Sequence, residues 1–419
     1  NSCLPKLSAY GTQVGQNKDL QLAYQKIKDS SEFAQLDLAQ QKSINNALRE
    51  FHLAGVDLKD DQKKRYGEIK TRLSKLASKF SEKVLDATNK WCKLITDASE
   101  LTGVPESSLA GFTQTAQAQD KEGFLLTLDF PCYLPIMTYC DNSALRQEMY
   151  TAFSTRASDL GPDAGEFDNS DNMQEILALR HELANVLGFD NFAQYSLATK
   201  MAESPEQVIS FLEDLSHKSR EQAQQEFNQL KEFAKKEHNV ANLNPWDIGY
   251  YAEKLKLELF SISQEEIRPY LPAPKVLEGL FEVAQRLFSV QFEEVSDQDL
   301  YQEDVKLFSI LKDGQVIAQF YLDMYARAKK RGGAWMDDCR VRRFKLNGEL
   351  QIPVAYLVCN FTAAVGDQPA LLNHNELTTL FHEFGHGLHH MLTQVSTAAV
   401  SGINGVAWDA VELPSQFLE

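Results

Sequence analysis

Apolar side chains recur at three- and four-residue steps through most of this chain, which is the spacing of one face of an α-helix. The clearest series is Tyr66, Ile69, Leu73, Leu76, Phe80 and Val84. These positions share one face of a long amphipathic helix, and an apolar face of this kind is typical of core packing. The pattern therefore predicts a mainly α fold.

A second helix has an explicit start signal. Ser204 can cap the helix, Pro205 suits its first position, and Gln207 completes a capping pair three residues after the serine. Four apolar residues then mark the face that we predict to be buried, namely Val208, Phe211, Leu212 and Leu215. The lysines that follow at positions 231, 235 and 236 are typical of a solvated face.

Two pairs of apolar stretches in the C-terminal third of the chain predict β-hairpins. Residues 306–310 and 316–321 flank Asp313-Gly314, and residues 343 and 353–359 flank Asn347-Gly348. Asp-Gly and Asn-Gly favour the tight turns of hairpins because these residues adopt positive φ readily. A strand that lies beside a binding site can bind an extended peptide through backbone hydrogen bonds. Residues 354–359 are our candidate for that strand, with a purely structural strand as the alternative.

Residues 381–386 read Phe-His-Glu-Phe-Gly-His and carry the most specific chemical signal in the chain. On a helix, His382 and His386 project from the same face, so their imidazoles can share one zinc ion. Glu383 lies beside them, within reach of a metal-bound water, and is the candidate general base. The motif predicts a zinc metallopeptidase.

The residues around the motif support a helix. Asn375 is the predicted N-cap. Gly385 and Gly387 each cost about 1 kcal/mol inside a helix, so we expect a close neighbour at these positions. The alternative is a buried helix whose histidines are ordinary core residues. We interpret His389 and His390 mainly as structural residues or as residues that support the metal ligands without binding the ion. The metzincin class is excluded because it requires glycine at position 389 and histidine at position 392.

A catalytic zinc site needs a third protein ligand, which must come from outside the HExxH helix. Residues 407–419 form a second predicted helical stretch, and Glu412 lies within it in an apolar setting. We predict that a loop folds this stretch against the first helix, so that Glu412 completes a His2Glu site with one open position. Asp409, one turn earlier, could accept the free N–H of a ligating imidazole. For both acids, a solvated helix cap is the alternative.

Several stretches together resemble the thimet oligopeptidase and neurolysin family of zinc oligopeptidases, and within it the bacterial members. They are residues 66–69, 125–142, 176–192 and 330–339, and the run from residue 376 to residue 419 that contains FHEFGHGLHH and SGINGVAWDAVELPSQFLE. The resemblance covers essentially the whole chain. It implies that His382, His386 and Glu412 bind one zinc ion per chain and that Glu383 is the general base.

The same resemblance implies a neurolysin-like, multi-helical zincin, in which a small β-sheet lies next to the HExxH helix and two lobes flank a deep channel. We divide the chain into a helical region at 1–160, a second helical region at 161–300 and a zinc-binding catalytic region at 301–419. A channel of this kind admits short unstructured peptides and excludes folded proteins. Relatives continue beyond the zinc glutamate, so we expect this chain to be an internal fragment of a longer enzyme.

Composition narrows the range of partners. The formal net charge of −17 disfavours nucleic acid and anionic membranes, and no apolar run in the sequence is long enough to cross a bilayer. Six separated cysteines without a CxxC pair are typical of reduced residues in the cytoplasm. We therefore predict a cytoplasmic monomer whose partners are short peptides, with neither nucleic acid nor membrane.

The function that these observations predict is zinc-dependent endopeptidase action on short oligopeptides. A zinc aminopeptidase is a weaker alternative, because the sequence has no GxMEN motif to hold a free amine and residues 333–337 resemble one only superficially. An alternative from another class is a non-catalytic helical fragment or scaffold that binds zinc without turnover. Peptide cleavage by the zinc-loaded chain would distinguish an endopeptidase from a non-catalytic scaffold.

Overall fold

The computed structural model describes residues 3–296, 298–364, 366 and 369–419, and this part of the chain is mainly helical. The helices are α1 Leu4–Gly15, α2 Lys18–Lys28, α3 Leu38–Leu53, α4 Asp60–Lys90, α5 Glu106–Gln117, α6 Phe130–Tyr139, α7 Ser143–Ser154, α8 Ser170–Val186, α9 Phe192–Leu197, α10 Pro205–His238, α11 Pro245–Phe260, α12 Gln264–Ile267, α13 Ala273–Phe288, α14 His374–Met391 and α15 Leu413–Leu418. The strands are β1 Cys92–Ile95, β2 Phe124–Thr127, β3 Gln291–Glu294, β4 Lys306–Lys312, β5 Gln315–Tyr325, β6 Trp335–Arg340, β7 Arg343–Phe344, β8 Leu350–Gln351 and β9 Val354–Phe361. The predicted fold class, a mainly α protein with a small β-sheet, is confirmed.

Helix α4 contains the long amphipathic series of the sequence. Tyr66, Ile69 and Leu76 are buried on one face of it, where Tyr66 and Ile69 pack with Leu183 of α8. Two acids in its first turn interact favourably with the helix dipole. The predicted long helix is therefore confirmed, and its apolar stripe is used for core packing.

Helix α10 confirms the predicted cap but not the predicted buried face. The Ser204 hydroxyl accepts a hydrogen bond from the backbone N–H of Gln207 at 3.2 Å, and Pro205 is the first helical residue. Of the four residues predicted to be buried, three are largely exposed: Phe211 at 61%, Leu212 at 56% and Leu215 at 47%. The helix is instead buried near its C-terminal end, through Leu230, Phe233 and Ala234. Periodicity shows which residues share a face, but it does not show whether another element covers that face.

A five-stranded mixed sheet has the strand order β3-β4-β5-β9-β6. The hairpin of β4 and β5 around Asp313-Gly314 is confirmed. The second predicted hairpin is wrong in its partner, because β7 pairs with the short strand β8 around Asn347-Gly348. Strand β9 runs parallel to β5 and antiparallel to β6.

The position of β9 also rules out residues 354–359 as the exposed peptide-binding strand. Both edges of β9 already carry backbone hydrogen bonds, one to β5 and one to β6. Its nearly continuous burial is typical of a strand in the interior of a covered sheet. Strand β6 is the edge strand on this side of the sheet, and it lies next to α14.

The largest core joins this sheet to α13 and α14. Its fully buried members include Phe320, Leu357, Leu372 and Leu380. Helix α13 lies in the region that the sequence division assigned to 161–300, yet it packs with the sheet of the catalytic region. The division into three regions stays a prediction.

A cavity of about 1050 Å³ separates helices α4, α6 and α11 on one side from residues 330–334 and the first turns of α14 on the other. The channel between two lobes that the resemblance implies stays a prediction. No helix in the described part of the chain is both long and apolar enough to cross a membrane.

A buried ion pair links α7 to α11. The guanidinium of Arg146 donates to the Asp247 carboxylate at 2.7 Å and to the carbonyl oxygen of Cys140 at 2.5 Å. The side chains of Arg146 and Asp247 are only 1% and 5% exposed. Removing one member of such a pair leaves an uncompensated buried charge.

We expect Asp247→Asn to lower the free energy of unfolding by about 3–5 kcal/mol, because the charge of Arg146 stays buried without its partner. Urea denaturation followed by circular dichroism measures this change. The control is Asp214→Asn, which removes the exposed pair with Lys218 on α10 and is expected to leave the midpoint unchanged. Equal midpoints for the two variants would contradict the prediction.

Candidate metal centre

Helix α14 begins two residues earlier than the sequence predicted. Its N-cap is Asn373, whose side chain accepts a hydrogen bond from the backbone N–H of Glu376 at 2.9 Å. The carboxylate of Glu376 in turn accepts a hydrogen bond from the backbone N–H of Asn373 at 2.8 Å. The predicted N-cap, Asn375, is a helical residue. Asn373 is favoured because only it has a glutamate three positions later, which completes a capping box.

Glu376 also ties this helix to the sheet. Its carboxylate accepts the backbone N–H of Thr362, directly after β9, at 2.8 Å. One acid therefore fixes the start of α14 relative to the strand beneath it. The turns that follow carry the HExxH residues.

Three potential metal ligands meet where α14 packs against the segment that contains α15. The Nε2 atoms of His382 and His386 each lie 3.1 Å from the same carboxylate oxygen, Oε2 of Glu412, and all three atoms lie within 4.8 Å of one another. A tetrahedral zinc ion with bonds of 2.0–2.2 Å separates its ligand atoms by roughly 3.3–3.6 Å. The donor set and its spacing therefore fit one small cation with a fourth position left open.

Gly385 allows this arrangement. A Cβ at this position would lie 2.6 Å from the carbonyl oxygen of Pro414 and 2.6 Å from Cα of Ser415. The backbone of α15 thus contacts the backbone of α14, and this contact brings Glu412 up to the two histidines. The predicted close neighbour at Gly385 is a backbone segment, whereas at Gly387 it is the side chain of Leu357, 2.9 Å from the position of a Cβ.

Ser415 holds the carboxylate of Glu412 in place. It is fully buried, and its hydroxyl lies 2.9 Å from Oε2 of Glu412 and 2.8 Å from the carbonyl oxygen of the same residue. Glu412 itself is half exposed, at 53%. The serine therefore restricts a side chain that would otherwise move freely in solvent.

Glu383 is directed into the protein beside these groups. It is only 5% exposed, and within the described part of the chain its Oε2 has no hydrogen-bond partner. Burial raises the pKa of Glu383 to about 7, with His382 lowering it and the charge of Glu412 raising it further. A carboxylate with a pKa near neutrality can both accept and return a proton.

His386 is held in the form that a metal requires. Burial lowers its pKa, and this outweighs the attraction of Glu412 for the charged form. A neutral imidazole has a free lone pair, which is the form that binds metal. The neighbouring His390 is a structural residue, as expected, because its Nε2 lies 2.9 Å from the carbonyl oxygen of Arg340.

Asp409 requires a correction to the sequence prediction. Its carboxylate accepts hydrogen bonds from the backbone N–H groups of Met201 and Ala202 at 2.9–3.0 Å, so it ties the segment before α15 to the chain ahead of α10. The carboxylate that does approach an imidazole belongs to Glu419, whose Oε2 lies 3.5 Å from Nδ1 of His382. The sequence contained a signal for this contact, because Glu412 and Glu419 are two helical turns apart and share a face.

Comparison with known proteins gives the family. The family model described as Peptidase family M3 matches residues 136–419, and the model described as Neurolysin/Thimet oligopeptidase, N-terminal domain, matches residues 2–63. The chain belongs to peptidase family M3. This agrees with the resemblance found in the sequence and includes the whole of α14 and α15.

Individual relatives match over nearly the full chain. Oligopeptidase A of Salmonella typhimurium is 57% identical over 99% of this chain and 61% of its own length. Organellar oligopeptidase A of Arabidopsis thaliana is 40% identical over 99% of this chain and 54% of its own length. A solved structure of PZ peptidase A with inhibitor 2 has a TM-score of 0.53 at 13% identity, covering 99% of this chain and 56% of that one. The M3 chain described here thus spans less than two thirds of the length of these proteins.

We expect Gly385→Ala to lower the free energy of unfolding by about 1–3 kcal/mol, because the new methyl group overlaps the backbone of α15. The same displacement should move Glu412 away from the histidines and reduce the zinc content of the chain. Urea denaturation and metal analysis on the same samples measure both effects.

The matched control is Gly111→Ala, another glycine inside a helix. A Cβ at Gly111 meets nothing within 4 Å, so alanine should be neutral or slightly stabilising there. If Gly385→Ala matched this control in both assays, the close contact would not determine the site.

Proposed function

We propose that the protein containing this chain is a zinc-dependent endopeptidase that hydrolyses short oligopeptides. The observation that carries the proposal is the convergence of His382, His386 and Glu412 on one point, with the buried carboxylate of Glu383 next to them. Two histidines and one glutamate with an open fourth position are typical of catalytic rather than structural zinc sites. Bacterial relatives of this chain are named oligopeptidase A.

The chemistry divides between the metal and this chain's own residues. When bound, zinc supplies a Lewis acid that polarises the scissile carbonyl and lowers the pKa of a coordinated water. Glu383 accepts a proton from the attacking water and later transfers it to the nitrogen of the leaving amine. The burial that raises its pKa to about 7 suits both steps. His382, His386 and Glu412 would hold one zinc ion per chain.

Substrate binding is proposed for the edge strand β6 and the cavity next to it. Residues 332–334, which lead into β6, line the cavity, and β6 has a free backbone edge in the described sheet. An extended peptide can pair with such an edge through main-chain hydrogen bonds, which makes recognition tolerant of sequence. A cavity of about 1050 Å³ accepts a short peptide but not a folded protein. A monomeric state and a cytoplasmic location stay predictions.

One observation favours the alternative of a chain that binds zinc with little turnover. The outer face of α15 is open, since Leu413 and Phe417 are 78% and 73% exposed. The exclusion of water from an active site strengthens the electrostatic interactions within it. Zinc binding and peptide cleavage must therefore be measured separately on this chain.

The test measures zinc per chain after dialysis, together with hydrolysis of a quenched fluorescent oligopeptide. We expect one zinc in the wild type and a loss of zinc in Glu412→Ala. Glu383→Gln should keep its zinc and lose about 10²–10⁴-fold in hydrolysis, because the amide cannot accept the proton. Glu349→Gln, an exposed acid on the β7–β8 hairpin, is the control and should change neither quantity.

Each outcome addresses a different part of the proposal. Full zinc in Glu412→Ala would refute the third ligand, and unchanged hydrolysis in Glu383→Gln would refute the general base. Wild-type chain that binds one zinc without cleaving the peptide would favour the scaffold alternative.

A further inference from the structure

Helix α15 presents more than one polar group to the metal centre. Glu412 is its N-cap, Ser415 lies in its first turn and Glu419 directly follows it. These positions lie on one face of a helix, since they are separated by about one and two turns. The opposite side of the helix is apolar and exposed, through Leu413 and Phe417. Three polar groups of this segment therefore lie beside the backbone contact at Gly385.

The two histidines of the motif differ in their surroundings. Both ring nitrogens of His382 face a carboxylate of this segment: Nε2 lies 3.1 Å from Glu412 and Nδ1 lies 3.5 Å from Glu419. In His386, Nε2 also faces Glu412, but its buried Nδ1 has no hydrogen-bond partner among the described residues. Only His382 has a carboxylate on the nitrogen that points away from the proposed metal.

A carboxylate at Nδ1 determines the tautomer of a neutral imidazole. It accepts an N–H bond, so the proton is favoured on Nδ1 and the lone pair is left on Nε2. In His382 that lone pair points towards Glu412 and the centre of the site. A partner of this kind also fixes the orientation of the ring and increases the basicity of the ligating nitrogen.

The backbone of α15 is well enough anchored to place Glu419. Pro414 and Ser415 pack on Gly385, and Leu418, the residue before Glu419, packs against the main core. Glu419 itself is 42% exposed, so water weakens its contact with the imidazole. We therefore expect an effect near the lower limit for such partners.

We infer that Glu419 is a positioning residue for His382, whose Nδ1–H donates to the Glu419 carboxylate so that Nε2 is directed to the metal. This inference rests on the proposed zinc site. It assigns to Glu419 the role that the sequence suggested for Asp409, whose carboxylate is bound by backbone N–H groups elsewhere.

The test compares Glu419→Ala and Glu419→Gln with Gln416→Ala, an exposed position on the same helix. Zinc affinity is measured by competition with a fluorescent chelator. We expect Glu419→Ala to weaken zinc binding about tenfold, at the low end of the range for such partners. Glu419→Gln should lose less, because its amide oxygen can still accept the N–H. Affinities for both variants equal to that of Gln416→Ala would overturn the inference.

A second measurement tests the contact between His382 and Glu419 in the absence of metal. Long-range proton–nitrogen correlation spectra of the zinc-free chain, labelled at histidine nitrogen, report the tautomer of each imidazole, with His382→Gln used to assign the signal. Because Glu412 lies 3.1 Å from Nε2 and would compete for the proton when zinc is absent, both samples carry Glu412→Ala. We expect His382 as the Nδ1–H tautomer in this background and a shift towards Nε2–H when Glu419→Ala is added. An unchanged tautomer would overturn the inference. If the wild type bound no zinc, the proposed function would fail while this spectrum still decided the role of Glu419.

Discussion

The metal centre depends on one close contact between two helices, the passage of the α15 backbone over Gly385 of α14. The HExxH motif brings two histidines together by local geometry alone, because they are one helical turn apart. The third candidate ligand, Glu412, lies 26 residues beyond His386 and reaches it only through tertiary packing. Any side chain at position 385 would occupy the space that Pro414 and Ser415 now fill. The glycine costs about 1 kcal/mol of helix propensity and makes the tertiary contact possible.

This contact is useful only because α14 is itself rigidly supported. Phe384, one residue from Glu383, packs in an aromatic cluster with Phe281, Phe292 and Phe320. Glu376 ties the start of the helix to the end of β9, and Gly387 lets Leu357 of β9 approach closely. Glu383 is buried within this supported helix, and that burial raises its pKa.

Local signals in the sequence were sufficient for several helices, one hairpin and one close helix contact. The cap of α10, the long face of α4, the hairpin at Asp313-Gly314 and the close packing at Gly385 all depend on a few neighbouring residues. The sequence prediction placed the cap of α14 at Asn375, which adjoins Glu376. A capping box needs its acid three residues after the cap, and only Asn373 satisfies this spacing.

The failures concern partners that are distant in sequence. Strand β9 pairs with β5 and β6 rather than with β7, which precedes it in the sequence. A central strand of a covered sheet needs a hydrogen-bonding partner on each edge. The apolar residues near the start of α10 share one face of the helix, but no local pattern shows that Phe211 on this face stays exposed. Asp409 and Glu419 are both acids near Glu412, and only the path of the backbone decides which of them faces an imidazole.

The most direct test of this account is the zinc K-edge X-ray absorption spectrum of the zinc-loaded chain. The account predicts a four-coordinate ion with two imidazole nitrogens at about 2.0–2.1 Å and carboxylate and water oxygens at about 2.0–2.2 Å. It also predicts that Glu412→Ala, prepared in the same way, retains too little zinc to give this spectrum. Sulfur neighbours at about 2.3 Å, or a six-coordinate shell of oxygens without imidazole, would contradict it.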